Sequence, residues 1–188
     1  SNGLSATADW MAESDQGGAY FGLSVSSAGD VNGDGYSDVI VGALYFDNGE
    51  YDEGCAFVYQ GSSTGLSATV TCMVESNLSQ AYFGNCVSSA GDVNGDGYSD
   101  VIISAIRYNN GHFQEGRAYV YHGGSAGLSA TAAWTAEGNQ TGADFGCNRG
   151  EAGVGFISPS PCPRSKRHPL QPLAADQTVA GEIEIEIA

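Results

Sequence analysis

The chain has 188 residues, with 22 acidic and 6 basic side chains, a formal net charge of −16 and 41% hydrophobic content. This balance is globular rather than that of a solvated tail, and the negative charge excludes nucleic acid and anionic membranes, which repel it. No apolar run in the sequence approaches the roughly 20 residues that a membrane span needs.

Taken in chain order, Thr7–Glu13, which carries Trp10, and Ala19–Ser27 are the first candidate strands. Val39-Ile40-Val41 is a short β-branched run, and Ala56-Phe57-Val58-Tyr59 is a second one bounded by glycines. Turn residues separate them: Asn32-Gly33, Asp47-Asn48-Gly49 and the Gly61–Gly65 stretch. The series then starts again. Gly3-Leu4-Ser5-Ala6-Thr7 returns 62 residues later at Gly65 and again at Gly127, and Phe21-Gly22 returns as Phe83-Gly84 and Phe145-Gly146. Val25–Ile40 is identical to Val87–Ile102.

A fixed period of this length means stacked supersecondary units. No segment sustains a helical apolar period, so the expected class is all-β, with each 62-residue unit a four-stranded antiparallel β-propeller blade. A β-solenoid coil is the competing architecture. Residues 1–62 and 63–124 are two units, 125–146 begin a truncated third, and 147–188 form a non-repeat tail. All five prolines lie in that tail, as do four of the six basic residues, and residues 181–187 alternate as one candidate strand. The expectation is that this tail is not a native propeller element, being a frameshift or recombination product, a fragment boundary or a true C-terminus. No leader opens the chain, so either one has been removed or the sequence is a piece of a longer protein. Two units and a fraction do not close a ring; closure requires more blades or self-association.

The acids are concentrated. Residues 1–146 carry 17 acidic and 2 basic side chains, a net of −15. Six of those acids sit in two nine-residue segments, Asp30–Asp38 and Asp92–Asp100. Oxygen side chains stand at positions 1, 3, 5 and 9, with glycine at 6 and a backbone carbonyl available at 7 from Tyr36 or Tyr98. Calcium takes about 6–8 oxygens, and a tight glycine turn lets a short loop converge them. Three carboxylates this close repel one another without a cation. An EF-hand has its bidentate glutamate at position 12, where this chain has Val41 or Ile103 inside a candidate strand. The bland alternative is an Asn-Gly hairpin turn with exposed acids.

Phe21-Gly22, the Asp30–Asp38 loop and Gly42-Ala43-Leu44 together resemble the FG-GAP repeat of integrin α-subunit propellers and of bacterial surface proteins. The second unit has Phe83-Gly84, Asp92–Asp100 and Ser104-Ala105-Ile106; the third has only Phe145-Gly146. The resemblance implies seven-bladed propellers, extracellular or cell-surface, with one Ca²⁺ in each loop-bearing blade. Carried over by position, the ligands of two sites are Asp30, Asn32, Asp34, Tyr36 (main chain) and Asp38, and Asp92, Asn94, Asp96, Tyr98 (main chain) and Asp100. The chain departs from the pattern at Leu44 and Ile106, where the motif has proline, and at Ser104, where it has glycine. Those departures are expected to touch a turn only.

The remaining residues point away from catalysis. Trp10 and Trp134 share a phase with Cys72, which suits packing between blades and leaves the middle blade less well filled. The five cysteines do not follow the repeat, although an isolated Cys72–Cys86 bridge is open. His112, His122 and His168 lack partners at a catalytic spacing, and the serines lack a nucleophile-elbow pattern. The expected function is a non-enzymatic extracellular Ca²⁺-binding propeller fragment in recognition or adhesion, with a protein or glycan surface ligand. The alternatives are a glycan-binding or accessory module of a secreted hydrolase, using Tyr45, Phe46, Asn48, Tyr108 and Asn109, and a degenerate remnant.

Overall fold

A computed structural model describes residues 7–146. The tail at 147–188 and the candidate strand within it lie outside the described residues. The described residues form eight strands and no helix: β1 (Phe21–Gly29), β2 (Asp38–Ala43), β3 (Cys55–Tyr59), β4 (Cys72–Glu75), β5 (Phe83–Gly91), β6 (Asp100–Ala105), β7 (Arg117–Tyr121) and β8 (Trp134–Glu137). They make two four-stranded antiparallel sheets, ordered β1-β2-β3-β4 and β5-β6-β7-β8. These are two propeller blades of an incomplete ring.

The sheets run out of phase with a count begun at residue 1. The fourth strand of the first blade is Cys72–Glu75, which pairs with β3 through Cys55↔Glu75 and Val58↔Cys72. Thr7–Glu13, expected as a strand, is therefore not one. Its counterparts Cys72–Glu75 and Trp134–Glu137 each pair with the third strand of the blade they complete, and among the described residues no such strand precedes Thr7. Trp10 nevertheless packs: its indole Nε1 donates to the Ser67 carbonyl at 2.9 Å and its ring meets Tyr59 edge-on at 4.9 Å.

The core lies between the blades. Ile40, Val58 and Val74 of the first sheet pack with Phe83, Val101, Ile103 and Tyr121 of the second. The sheets approach so closely that backbone meets backbone. A Cβ on Gly42 would collide with the Gly84 carbonyl, and one on Gly54 with the backbone of Phe83. Gly42 and Ser104 thus lie inside strands β2 and β6, at the blade contact; of the departures expected to touch a turn only, Leu44 and Ile106 do lie in one and Ser104 does not. Ser104 is accommodated because its hydroxyl turns back along its own sheet and accepts the Cys86 N–H at 3.1 Å. Where Cys72 replaces tryptophan, Leu128 moves in and is buried, while Leu66 in the preceding unit is only half-buried.

The second and third Phe-Gly elements latch onto the blade before them. The Phe83 N–H donates to the Glu53 carbonyl at 2.9 Å, Gln80 to Tyr51 at 2.7 Å and Tyr82 to Asp52 at 3.4 Å. Phe145, at the start of the third unit, repeats this on Glu115 at 3.0 Å.

Candidate metal centre

The two acidic segments are the connections from β1 to β2 and from β5 to β6, and both fold in the same way. Asp30 closes the first: its Oδ1 accepts the N–H groups of Gly33 (2.7 Å) and Asp34 (3.0 Å), and its Oδ2 accepts that of Gly35 (2.8 Å). The turn needs left-handed backbone at Gly33 and Gly35 (φ +73° and +89°), which glycine adopts without a Cβ penalty. Asn32 faces Asp34, donating Nδ2 to its Oδ2 at 2.9 Å, and the Tyr36 N–H donates to Asp34 Oδ1 at 3.0 Å. In the second loop Asp92 takes Gly95, Asp96 and Gly97, Asn94 faces Asp96, and Tyr98 donates to Asp96.

Asp38 and Asp100 are set apart from the rest of their loops. Both are fully buried at the first position of β2 and β6. Asp38 accepts the N–H of Val31 on Oδ2 and that of Gly61 on Oδ1, each at 2.8 Å; Asp100 takes Val93 and Gly123. The fourth expected side-chain ligand therefore ties the loop to the end of β3 or β7. Burial pushes the Asp38 carboxyl above its ordinary range, the two N–H donors pull it back, and the charges of Asp34 and Asp30 push it up again. Asp92 is held below the ordinary range, first by the Gly97 N–H.

Geometry thus brings Asp30, Asn32 and Asp34 together on the exposed side of the turn, with Asp38 beneath them in the core. Among the described residues, no group of three or more His, Cys, Asp or Glu side chains is drawn together closely enough to hold a metal ion. The carboxylates are instead spent on backbone N–H groups. The donor set is hard oxygen throughout, and its like charges act on one another, which is the chemistry that suits a hard dication such as Ca²⁺.

The two loops touch. Gly33 lies under the Tyr98 ring, and the Asp30 N–H donates to Ser99 Oγ at 3.1 Å. Sequence reasoning does not foresee this contact, nor the role of Glu53 and Glu115. Both glutamates are fully buried in the loops that carry the latch. Glu53 Oε1 accepts the N–H groups of Asn48 (2.8 Å) and Glu50 (3.2 Å), while its Oε2 is buried without a partner. In the second blade Glu115 takes Asn110 N–H on one oxygen and His112 Nδ1, at 3.2 Å, on the other. A Glu-Gly pair recurring at 53–54 and 115–116 is the signal available in the sequence.

The other singled-out residues serve the scaffold. Phe46 packs edge-on against Phe57, and Tyr108 against Tyr119. Asn48 donates to Glu75 at 2.6 Å, and Asn109 accepts the Gln114 N–H. His122 offers its carbonyl to Ser129 at 2.8 Å. Among the described residues Cys72 and Cys86 do not form a bridge with each other.

The family described as FG-GAP repeat matches residues 21–59 and 87–121. Integrin alpha-4 of Xenopus laevis is 34% identical over 126 residues, 66% of this chain and 12% of that protein. Integrin alpha-3 of Cricetulus griseus is 34% identical over 118 residues, covering 62% and 11%. Integrin alpha pat-2 of Caenorhabditis briggsae is 38% identical over 94 residues, covering 48% and 8%. The chain spans about a tenth of the length of these curated relatives.

Proposed function

Given a chain built on two FG-GAP repeats of the integrin α type, we propose that it is a non-enzymatic, extracellular or cell-surface propeller segment that binds Ca²⁺ and serves adhesion or recognition. The observation that carries this reading is the pair of identically folded carboxylate loops at one end of the blade contact. Asp30, Asn32, Asp34, the Tyr36 carbonyl and Asp38 would hold one ion; Asp92, Asn94, Asp96, the Tyr98 carbonyl and Asp100 would hold the other. Bound calcium offsets the mutual repulsion of the acids and stiffens the loops, so its role is structural.

The ligand-binding surface belongs to a larger assembly of blades. Val25 on β1 is 58% exposed, while its counterpart Val87, covered by the first blade, is 5% exposed. An apolar face of that kind takes another blade, supplied by the same polypeptide or by a second copy.

Thermal unfolding with Ca²⁺ and with EGTA tests the metal reading. Calcium raises the melting temperature of the wild-type chain and leaves that of the double variant Asp34→Ala/Asp96→Ala unchanged. Identical melting of the wild type in both buffers defeats it.

A further inference from the structure

The sequence contains five Asn-Gly dipeptides; Asn2-Gly3 lies outside the described residues, and the fold sorts the other four, at Asn32, Asn48, Asn94 and Asn110, into two chemically different pairs. An asparagine followed by glycine is open to intramolecular attack, because the glycine amide nitrogen meets no Cβ on its approach to the side-chain carbonyl. In the carboxylate loops that nitrogen is engaged. Gly33 N–H donates to Asp30 Oδ1 and Gly95 N–H to Asp92 Oδ1, both at 2.7 Å. The electrophile is engaged too: Asn32 Oδ1 accepts the Asp34 N–H and its Nδ2 donates to Asp34 Oδ2, and Asn94 does the same with Asp96.

At Asn48 and Asn110 the attacking nitrogen is unengaged. Among the described residues neither the Gly49 nor the Gly111 N–H has an acceptor, and both glycines lie on exposed loops with left-handed backbone (φ +113° and +94°). Only the leaving end of each amide is held: Asn48 Nδ2 by Glu75 Oε2 at 2.6 Å, and Asn110 Nδ2 by Glu137 Oε2 at 3.1 Å.

We propose that Asn48 and Asn110 are sites of spontaneous deamidation in the folded protein, and that the hydrogen-bonded turns protect Asn32 and Asn94. In the first step the Gly49 nitrogen bonds to Asn48 Cγ and the Cγ–Nδ2 bond breaks. The glycine N–H proton leaves with the amide nitrogen as ammonia, and a succinimide remains. Water then opens either imide C–N bond, giving aspartate or isoaspartate with no oxidant or reductant consumed. Each event adds one negative charge and deletes the donor that ties the loop to β4 or β8, setting a carboxylate against Glu75 or Glu137. The inference is independent of calcium, since it rests on which N–H groups already have acceptors.

The test is ageing of the full chain in mildly alkaline buffer with EGTA, followed by peptide mapping for the NH₂-to-OH mass change and for isoaspartate. An aliquot aged in urea supplies the unfolded reference. Of the four described sites, product is expected at 48 and 110 in the folded chain and at all four in urea, and Gly49→Ala should slow the reaction at 48 alone. In Asp30→Ala, which removes the clamp, Asn32 should join the reactive set while Asn94 stays intact. The proposal is overturned if Asn32 and Asn94 react as fast as Asn48 and Asn110 in the folded wild type. It is equally overturned if 48 and 110 stay intact there while reacting in urea.

Discussion

Asp30 and Ser99 exchange hydrogen bonds across the blade boundary: the Asp30 N–H donates to Ser99 Oγ at 3.1 Å, and the Ser99 N–H donates to the Asp30 carbonyl at 2.9 Å. Asp30 opens the first carboxylate loop and Ser99 stands one residue before the end of the second. The loops are thus joined through the backbone of a residue that also closes the turn with its carboxylate. Anything that orders one loop restrains the other.

Ser99→Ala should therefore do two things. Removing the hydroxyl leaves the Asp30 N–H without its acceptor, at a cost of about 1 kcal/mol. It also uncouples the loops, so calcium titrations of the Asp96→Ala variant should show weaker binding at the first loop than the intact protein, and Ser99→Ala should abolish that difference. Isothermal titration of the wild type, both single variants and the double variant Asp96→Ala/Ser99→Ala reads the effect; equal first-loop affinity in the wild type and Asp96→Ala contradicts the coupling.

Asp34 and Asp38 are both candidate ligands, but only Asp38 is part of the scaffold. Its carboxylate satisfies two buried backbone N–H groups, Val31 and Gly61, that have no other acceptor. In EGTA, Asp38→Ala should cost about 2–4 kcal/mol, because both donors are left buried and unpaired. Asp34→Ala, on the exposed turn, should cost less than about 0.5 kcal/mol under the same conditions. Urea unfolding of the two variants separates the structural role from the metal role. Equal losses would place Asp38 outside the core network.

Much of this architecture is legible in the pattern of residues, because strand-forming runs and turn residues recur at one fixed interval. Val39-Ile40-Val41 and Ala56–Tyr59 mark β2 and β3 by their own chemistry. The phase of the blade is not legible in that way. Nothing in Cys72–Glu75 states that it pairs with Phe57 and Val58 behind it and not with the strand ahead, since that choice is made by packing. Thr7–Glu13 has the same local character and yet forms no strand, since among the described residues no third strand precedes it. At the candidate site, the oxygen spacing of Asp30–Asp38 is plain in the sequence. The burial of Asp38 against Gly61 is not, because it depends on where β3 ends in space. Glu53 is hidden for a similar reason: an acid in a loop rich in Asp and Asn reads as solvated, and only the fold shows it buried.

The two buried glutamates differ in one partner, and the difference is a natural experiment. Glu115 Oε2 meets His112, whereas the corresponding position in the first blade is Glu50, whose side chain has no N–H to donate, and Glu53 Oε2 is left alone. Glu50→His should supply the missing donor and stabilise the chain by about 0.5–1.5 kcal/mol. The gain should vanish in the Glu50→His/Glu53→Ala background, and His112→Glu should cost a similar amount in the second blade. Urea midpoints of these proteins, with Glu53→Ala as the reference for the double variant, decide it. A gain that survives removal of Glu53 would have another origin.

The alkaline limb of stability follows from groups that the fold keeps protonated. Burial, aided by the charge of Glu75, pushes the Cys55 thiol well above its ordinary value, and burial raises the Tyr121 phenol to about 12. Both are acids that are neutral when protonated, so the folded state holds a proton that the unfolded state releases once pH passes the free-group value. From about pH 8.5 for cysteine and about pH 10 for tyrosine, the unfolded chain binds fewer protons and stability falls as pH rises, by at most about 1.4 kcal/mol per unit for each group. Urea midpoints should hold between pH 7 and 8, decline through pH 9.5 and decline faster above 10. Cys55→Ala should lower the whole curve through the lost side chain yet flatten its segment between pH 8.5 and 10, while a thiol reagent at pH 7.5 should leave Cys55 of the native wild type unmodified. A Cys55→Ala curve parallel to wild type across that interval would assign the alkaline loss to other groups.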